Sequence, residues 1–315
     1  MGARSVTGAA IDVGSNSVHM LVARVRAPRR KGTLGTLVPV DDRSDLIGLG
    51  DVVHDLGAIP PDQLQAVVDS LHAMSATAAE LGAREMVVMG TEPFRRAQNA
   101  DELVAAAERH LGVAINVLTE RQEAELSYVG VTCGRRPSES LAVIDIGGGS
   151  TEVALHVPGR PLAVIPLRLG SARLTGRIVR HDPPTRTELD ELMAAAHGAV
   201  SAGEWPEMPA RLERAVFLGG TATNVARLGR LDRSHLDDDL VTLAALRAEE
   251  VVRYFSVRPR RARQLAAGVA IVRALLDQLG LAEAEVSDAS LRDGAILARA
   301  AYGAEWLARL DELTG

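Results

Sequence analysis

One pattern, occurring twice, constrains this chain more than anything else in it. Residues 9–25 read AAIDVGSNSVHMLVARV and residues 141–157 read LAVIDIGGGSTEVALHV. Each is an apolar strand ending in Asp-x-Gly, a short turn of small polar residues, and a second strand. A turn of that length between two apolar runs makes each pair a hairpin. A hairpin repeated at Asp12 and Asp145 points to two copies of one domain plan. The 315 residues suffice for about two domains of ~150 residues each.

The segments after each hairpin agree with that plan. PDQLQAVVDSLHAMSATAAELG reads as a helix opened by Pro60 and Pro61 and stopped by Gly82. EMVVMG reads as a short buried strand. NADELVAAAERHLG is a helix with Asn99 as N-cap and Gly112 as stop. VAINVLT is a strand, and ERQEAELSYVGV opens a helix directly after it. In the second half PLAVIPLRLG and RAVFLGG read as strands, TRTELDELMAAAHGAV and TATNVARLGR as helices. RRARQLAAGVAIVRALLDQLG reads as one long helix, followed by a last strand at AEVSD and a last helix over DASLRDGAILARAAYG. Strands alternating with helices define α/β sheets covered by helices. The boundary is expected between 120 and 140, with domains at 1–123 and 124–315 and the last helix able to pack back on the first domain.

Composition narrows the function classes. The chain is 47% hydrophobic and 24% charged, with net charge −6. That balance suits a soluble protein and disfavours general binding to nucleic acid or membrane surfaces. Cys133 is the single cysteine, so no intrachain disulfide or cysteine-rich metal site is available. No apolar run is long enough for a membrane helix and no leader pattern opens the sequence, so a cytoplasmic location is expected.

The turns carry the chemistry. Gly147, Gly148 and Gly149 have no Cβ to obstruct an anion, and successive inward amides make an anion nest. Ser150 and Thr151 add hydroxyls, and the hairpin sets Asp145 and Glu152 beside the same turn. A phosphate among carboxylates calls for a hard cation with oxygen ligands, such as Mg²⁺. An isolated glycine turn is explained equally well by positive φ alone. Two further loops weigh against that: Gly14, Ser15, Asn16 and Ser17 behind Asp12, and Gly219, Gly220 and Thr221 between a strand and a helix.

Taken in order, AAIDVGSNSVHMLV, TEPFRRAQN, RQEAELSYVG, IDIGGGSTE, LRLGSARLT, GGTATNVARL and SLRDGAIL resemble the exopolyphosphatase/guanosine pentaphosphatase (Ppx/GppA) family, within the superfamily that also holds actin and the sugar kinases. The resemblance spans about residues 9 to 297 and fits the short, two-domain members. It implies an α/β fold of two ribonuclease-H-like (actin-like ATPase) domains with a phosphate-binding cleft between them. It also implies Mg²⁺ dependence, a homodimer, and release of terminal phosphate from inorganic polyphosphate or from pppGpp. Carried over residue by residue, it makes Glu123 the general base, with Glu120 as rival, and Arg95 the phosphate-clamping arginine. Asp12, Asp145 and Glu152 become the metal-side carboxylates, Glu152 also able to orient water. Ser15, Asn16, Ser17, Gly147, Gly148, Gly149, Ser150, Gly220 and Thr221 become phosphate contacts. The sequence departs from the family at Glu92 and Pro93, where small residues are usual, and at Gln122, where the first glutamate of a Glu-Glu-Ala motif is lost. Those departures leave a non-catalytic polyphosphate or alarmone binder as an alternative. The basic run Arg258, Arg260, Arg261 and Arg263 reads as a solvated helix start, and Arg24, Arg26, Arg29, Arg30 and Lys31 as a hairpin end.

Overall fold

The computed structural model describes residues 6–28, 33–208 and 212–314, so the expectation for Arg29, Arg30 and Lys31 falls outside the described residues. The chain divides into two compact units, Met1–Arg136 with Ala289–Gly315, and Pro137–Asp288.

Unit 1 runs β1 (Val6–Val13), β2 (Ser17–Arg26), β3 (Thr36–Leu46), α1 (Leu49–Leu56), α2 (Pro61–Glu80), β4 (Glu85–Gly90), α3 (Glu92–Arg96), α4 (Ala100–Leu111), β5 (Ile115–Val117) and α5 (Glu120–Thr132). Unit 2 runs β6 (Leu141–Ile146), β7 (Thr151–His156), β8 (Ala163–Leu167), α6 (Ser171–Ile178), α7 (Arg186–Ser201), β9 (Arg214–Leu218), α8 (Gly219–Val225), α9 (Arg233–Ala245), α10 (Ala248–Phe255), α11 (Pro259–Ala262), α12 (Leu265–Gln278) and β10 (Glu285–Val286). The chain then returns to unit 1 with α13 (Leu291–Tyr302) and α14 (Leu310–Thr314).

The two sheets have one topology. Unit 1 is ordered β3-β2-β1-β4-β5, and unit 2, read the same way, β8-β7-β6-β9-β10. In each, three strands form an antiparallel meander and two join in parallel beside the first. The hairpins fold in the register their sequences suggested, with Asp12 opposite His19 and Asp145 opposite Glu152.

Alternation along the strands builds a core on each face of the unit 1 sheet. Ile11, Met20 and Val22 pack with Val67, Leu71 and Met74 of α2, while Ala10, Leu21 and Met89 pack with Leu126 and Val129 of α5 and Ile296 of α13. In unit 2, α12 is buried almost throughout, which its sequence LAAGVAIVRALLDQ requires.

Two sequence expectations are refined here. The break between units falls at 136/137, within the expected 120 to 140 but later than residue 123, because α5 is one continuous helix whose buried face packs on α13. The long helix expected from residue 260 is interrupted at Arg263 and Gln264, leaving α11 as a separate turn. Asn99 is the N-cap of α4 as expected, and its amide bonds Ile59: Oδ1 accepts from Ile59 N at 2.8 Å and Nδ2 donates to Ile59 O at 3.0 Å.

The α5–α13 contact depends on glycine. A Cβ on Gly294 would lie 2.0 Å from Leu126 O, and one on Gly130 would lie 2.5 Å from Ser290 O. Both obstacles are backbone and cannot rotate away. Gly294→Ala is therefore expected to destabilise the protein by roughly 3 kcal/mol, lowering Tm by about 6 °C or more. Calorimetry showing an unchanged Tm would remove this reading of the packing.

Candidate functional site

The turns are built alike at the level of single hydrogen bonds. Gly14 N donates to Ser17 O at 3.0 Å, and Gly147 N donates to Ser150 O at 2.9 Å. In both, the turn's carbonyls are taken up by a following segment that opens a helix. Asn16 O accepts from Ile47 N and Gly48 N, and Ser15 O accepts from Gly50 N at 2.7 Å. Gly147 O accepts from Ser171 N and Gly148 O from Arg173 N, while Gly149 O accepts from Arg173 Nε at 2.8 Å. The amides of Ser15, Asn16, Gly148 and Gly149 have no protein acceptor among the described residues. With carbonyls anchored and amides presented, each turn has the polarity of an anion nest.

Glycine is required on the anchoring side as well. A Cβ on Gly170 would meet Gly148 O at 2.3 Å, and one on Gly50 would meet Ser15 Cβ at 2.6 Å. The anchor of the first turn, Ile47–Gly50, escaped the sequence reading. Its signal was present: Leu49-Gly50 behind the first hairpin matches Leu169-Gly170 behind the second.

In unit 2, Asp145 and Glu152 stand directly opposite on β6 and β7, so their carboxylates share one face of the sheet. Glu152 is buried. Two facing carboxylates are oxygen donors of the kind a hard cation takes, its shell being completed by water and phosphate oxygens. Among the described residues no group of three His, Cys, Asp or Glu side chains gathers as a cation site. Asp12 belongs to unit 1, at the end of β1. Gly219, with φ +82°, brings its backbone against Asp145; a Cβ there would be 2.4 Å from Asp145 Oδ1. Thr221 contributes through the turn: its hydroxyl donates to Gly147 O at 3.2 Å and lies 2.8 Å from Ser171 Oγ.

In unit 1, β4 and β5 end beside each other and the helices after them carry the charged residues. Arg95 on α3 donates through Nη1 to Glu123 Oε1 and to Leu118 O, the latter at 2.8 Å. Glu123, in the first turn of α5, is buried; Glu120, the rival, keeps 41% of its side chain exposed and stands 4.0 Å from Arg95 Nη2. Gln122 is the capping-box partner of Thr119, accepting from Thr119 N at 2.9 Å. Its departure from the family's glutamate thus falls on a cap and leaves the Arg95–Glu123 pair intact. Glu92 is buried as well, and its charge is answered locally. It accepts from Arg96 Nη1 at 2.8 Å and from Ser15 Oγ at 3.0 Å. Ser15, chosen from sequence as a phosphate contact, here spends its hydroxyl on that carboxylate.

The structure also corrects the reading of the basic run. Arg261 is not a solvated helix start. Its guanidinium lies against Gly220, where a Cβ would meet Nη2 at 2.7 Å. Burial, with repulsion from Arg260 and Arg258, lowers its pKa to about 10. Arg24 and Arg26 stand at the end of β2, where Arg26 faces Thr36 in the last pair of the β2–β3 hairpin, as expected for a hairpin end.

Two copies of a five-stranded sheet, each with an acid-flanked turn that offers its amides, define a phosphate-handling chain of the actin-like ATPase fold. The chain belongs to the Ppx/GppA phosphatase family, whose sequence profile matches residues 29–302. It is 26% identical over 307 residues to exopolyphosphatase 1 of Mycobacterium tuberculosis, covering 91% of this chain and 86% of that one. It is 25% identical over 298 residues to the guanosine-5'-triphosphate,3'-diphosphate pyrophosphatase of Photobacterium profundum, covering 91% of this chain and 58% of that one. The crystal structure of the Aquifex aeolicus family member superposes with a TM-score of 0.79 at 26% identity, over 94% of this chain and 98% of that one. Both named relatives are phosphoric anhydride hydrolases, and this chain is an enzyme of that class. Among the described residues no helix is long and apolar enough to cross a membrane.

Proposed function

We propose that this protein releases terminal orthophosphate from inorganic polyphosphate, with Glu123 as the general base. The observation that carries the reading is the buried Glu123 carboxylate held by Arg95 in the first turn of α5. A carboxylate so placed is desolvated and oriented, and the arginine beside it is the group best suited to a transferring phosphoryl. Glu123 takes the proton as water attacks the terminal phosphorus. Arg95 turns from the carboxylate to the equatorial oxygens, where charge develops. The amides of Gly148 and Gly149 hold phosphate oxygens, and Arg261 beside Gly220 adds a fixed positive charge. Asp145 and Glu152 would hold Mg²⁺, which when bound neutralises charge on the phosphates. A homodimer is part of the same proposal and is read by sedimentation.

A second reading is favoured by the Photobacterium profundum relative, named for a guanosine pentaphosphate substrate. It uses the same residues on pppGpp. One panel separates the readings: phosphate release from polyphosphates of several lengths, pppGpp and ATP, with and without Mg²⁺. Release from polyphosphate well above that from pppGpp supports the first reading. Tight binding of polyphosphate with no release under Mg²⁺ replaces both with a binding protein.

Glu92 allows a sharper test. Its carboxylate occupies the Ser15 hydroxyl and adds negative charge beside a turn proposed to hold phosphate. Glu92→Ala is expected to lower KM for polyphosphate by about tenfold or more, the worth of one charge-assisted hydrogen bond, with little change in kcat. Steady-state kinetics giving an unchanged or raised KM would mean that Ser15 never serves the substrate.

A further inference from the structure

A cavity of about 380 Å³ lies in unit 2 where α6 packs beside α7. Its origin is in the sequence. On α7 the facing positions are Ala195, Gly198 and Ala199, too small to fill the space left beside Leu174 of α6. Arg168, just after β8, and Arg173 and Arg177, one turn apart on α6, stand around it, and no acidic side chain lines it. Among the described residues Arg168 and Arg177 have no carboxylate partner. Like charges at this helical spacing destabilise a helix, and Arg168 and Arg177 are exposed at the rim of the cavity. A multivalent anion removes the repulsion, and the guanidinium fork matches phosphate oxygens in pairs. The volume falls within the range of small-ligand sites and exceeds what one orthophosphate needs.

The position of this cavity separates it from the proposed reaction centre. Arg173 reaches the glycine turn from the carbonyl side, through Gly148 O and Gly149 O, whereas the reacting phosphate is proposed on the amide side. We propose that the cavity between α6 and α7 is a second anion site, and that its ligand is an oligophosphate of about three phosphoryl groups. Such a group occurs at the end of an inorganic chain and in a nucleoside triphosphate, so the test carries one arm for each.

The test uses the full chain with Glu123→Gln, to suppress turnover, titrated calorimetrically with tripolyphosphate and separately with GTP. Two binding events are expected for tripolyphosphate. Adding Arg168→Ala and Arg177→Ala is expected to remove one of them or weaken it by about tenfold or more, a change of 1.4 kcal/mol or above. Loss with tripolyphosphate alone assigns the site to inorganic chains, and loss in both arms assigns it to triphosphate groups generally. A single event in the parent protein, or a titration unchanged by the two substitutions, overturns the proposal. With Glu123 intact, the Arg168→Ala/Arg177→Ala enzyme is expected to release phosphate from tripolyphosphate within about twofold of wild type. That measurement reports on the proposed reaction independently of the second site.

Discussion

Glu123→Gln is expected to lower kcat by about 10²–10⁴-fold, the usual contribution of a positioned general base, while KM stays the same or falls. The substitution conserves shape, and the amide oxygen can still accept from Arg95 Nη1, so burial in the first turn of α5 is retained. What is lost is the ability to take a proton. Arg95 also loses its counter-charge and becomes freer to meet an anion, which is why binding is not expected to weaken. Glu120→Gln is the control: that carboxylate is far more exposed and stands at the limit of ion-pair distance from Arg95, so a several-fold effect at most is expected. Single-turnover phosphate release separates the two. A Glu123→Gln enzyme with kcat within tenfold of wild type would move the base elsewhere, with Glu120 the first place to look.

Gly170→Ala is expected to cost about 10²-fold in kcat/KM, the scale of a misplacement near 1 Å at a reacting group. The added Cβ would sit 2.3 Å from Gly148 O and 2.6 Å from Gly149 C, both backbone atoms of the turn. Nothing there can rotate aside, so either the turn or the start of α6 must move. The hydrogen bonds from Ser171 N and Arg173 N that fix the turn's carbonyls would lengthen together. Gly176 lies on the same helix with no atom within 4 Å of its would-be Cβ, which makes Gly176→Ala the matched control. It is expected to leave activity unchanged and to add a few tenths of a kcal/mol or more of helix stability. Equal activity of the two variants would show that the turn's position does not matter to the reaction.

Much of the fold was legible because its signals are short-range. The Asp-x-Gly hairpins, the helices opened by proline and closed by glycine, and the buried runs EMVVMG and RAVFL all declare themselves within about ten residues. Residues 36–56 did not. TLVPVDDRSDL mixes a proline and four charges into β3, an edge strand whose pattern is set by one neighbour and by solvent rather than by a core. Glu123 and Arg95 were nameable by resemblance, but their ion pair joins positions 28 apart through the ends of two neighbouring strands. The partnership of Ser15 with Glu92 spans 77 positions, and no local pattern encodes it.

The amino-acid sequence by itself determined the repeated hairpin, the alternation of strands and helices, and the residue types offered at each turn. Those depend on backbone dihedrals and on side-chain period, which are local properties. Only the tertiary structure decided that Arg261 packs against the Gly220 backbone and that Glu92 claims the Ser15 hydroxyl. Those outcomes rest on burial and on hydrogen bonds between distant segments, where the partner of a buried polar group is chosen by what the completed fold leaves within reach.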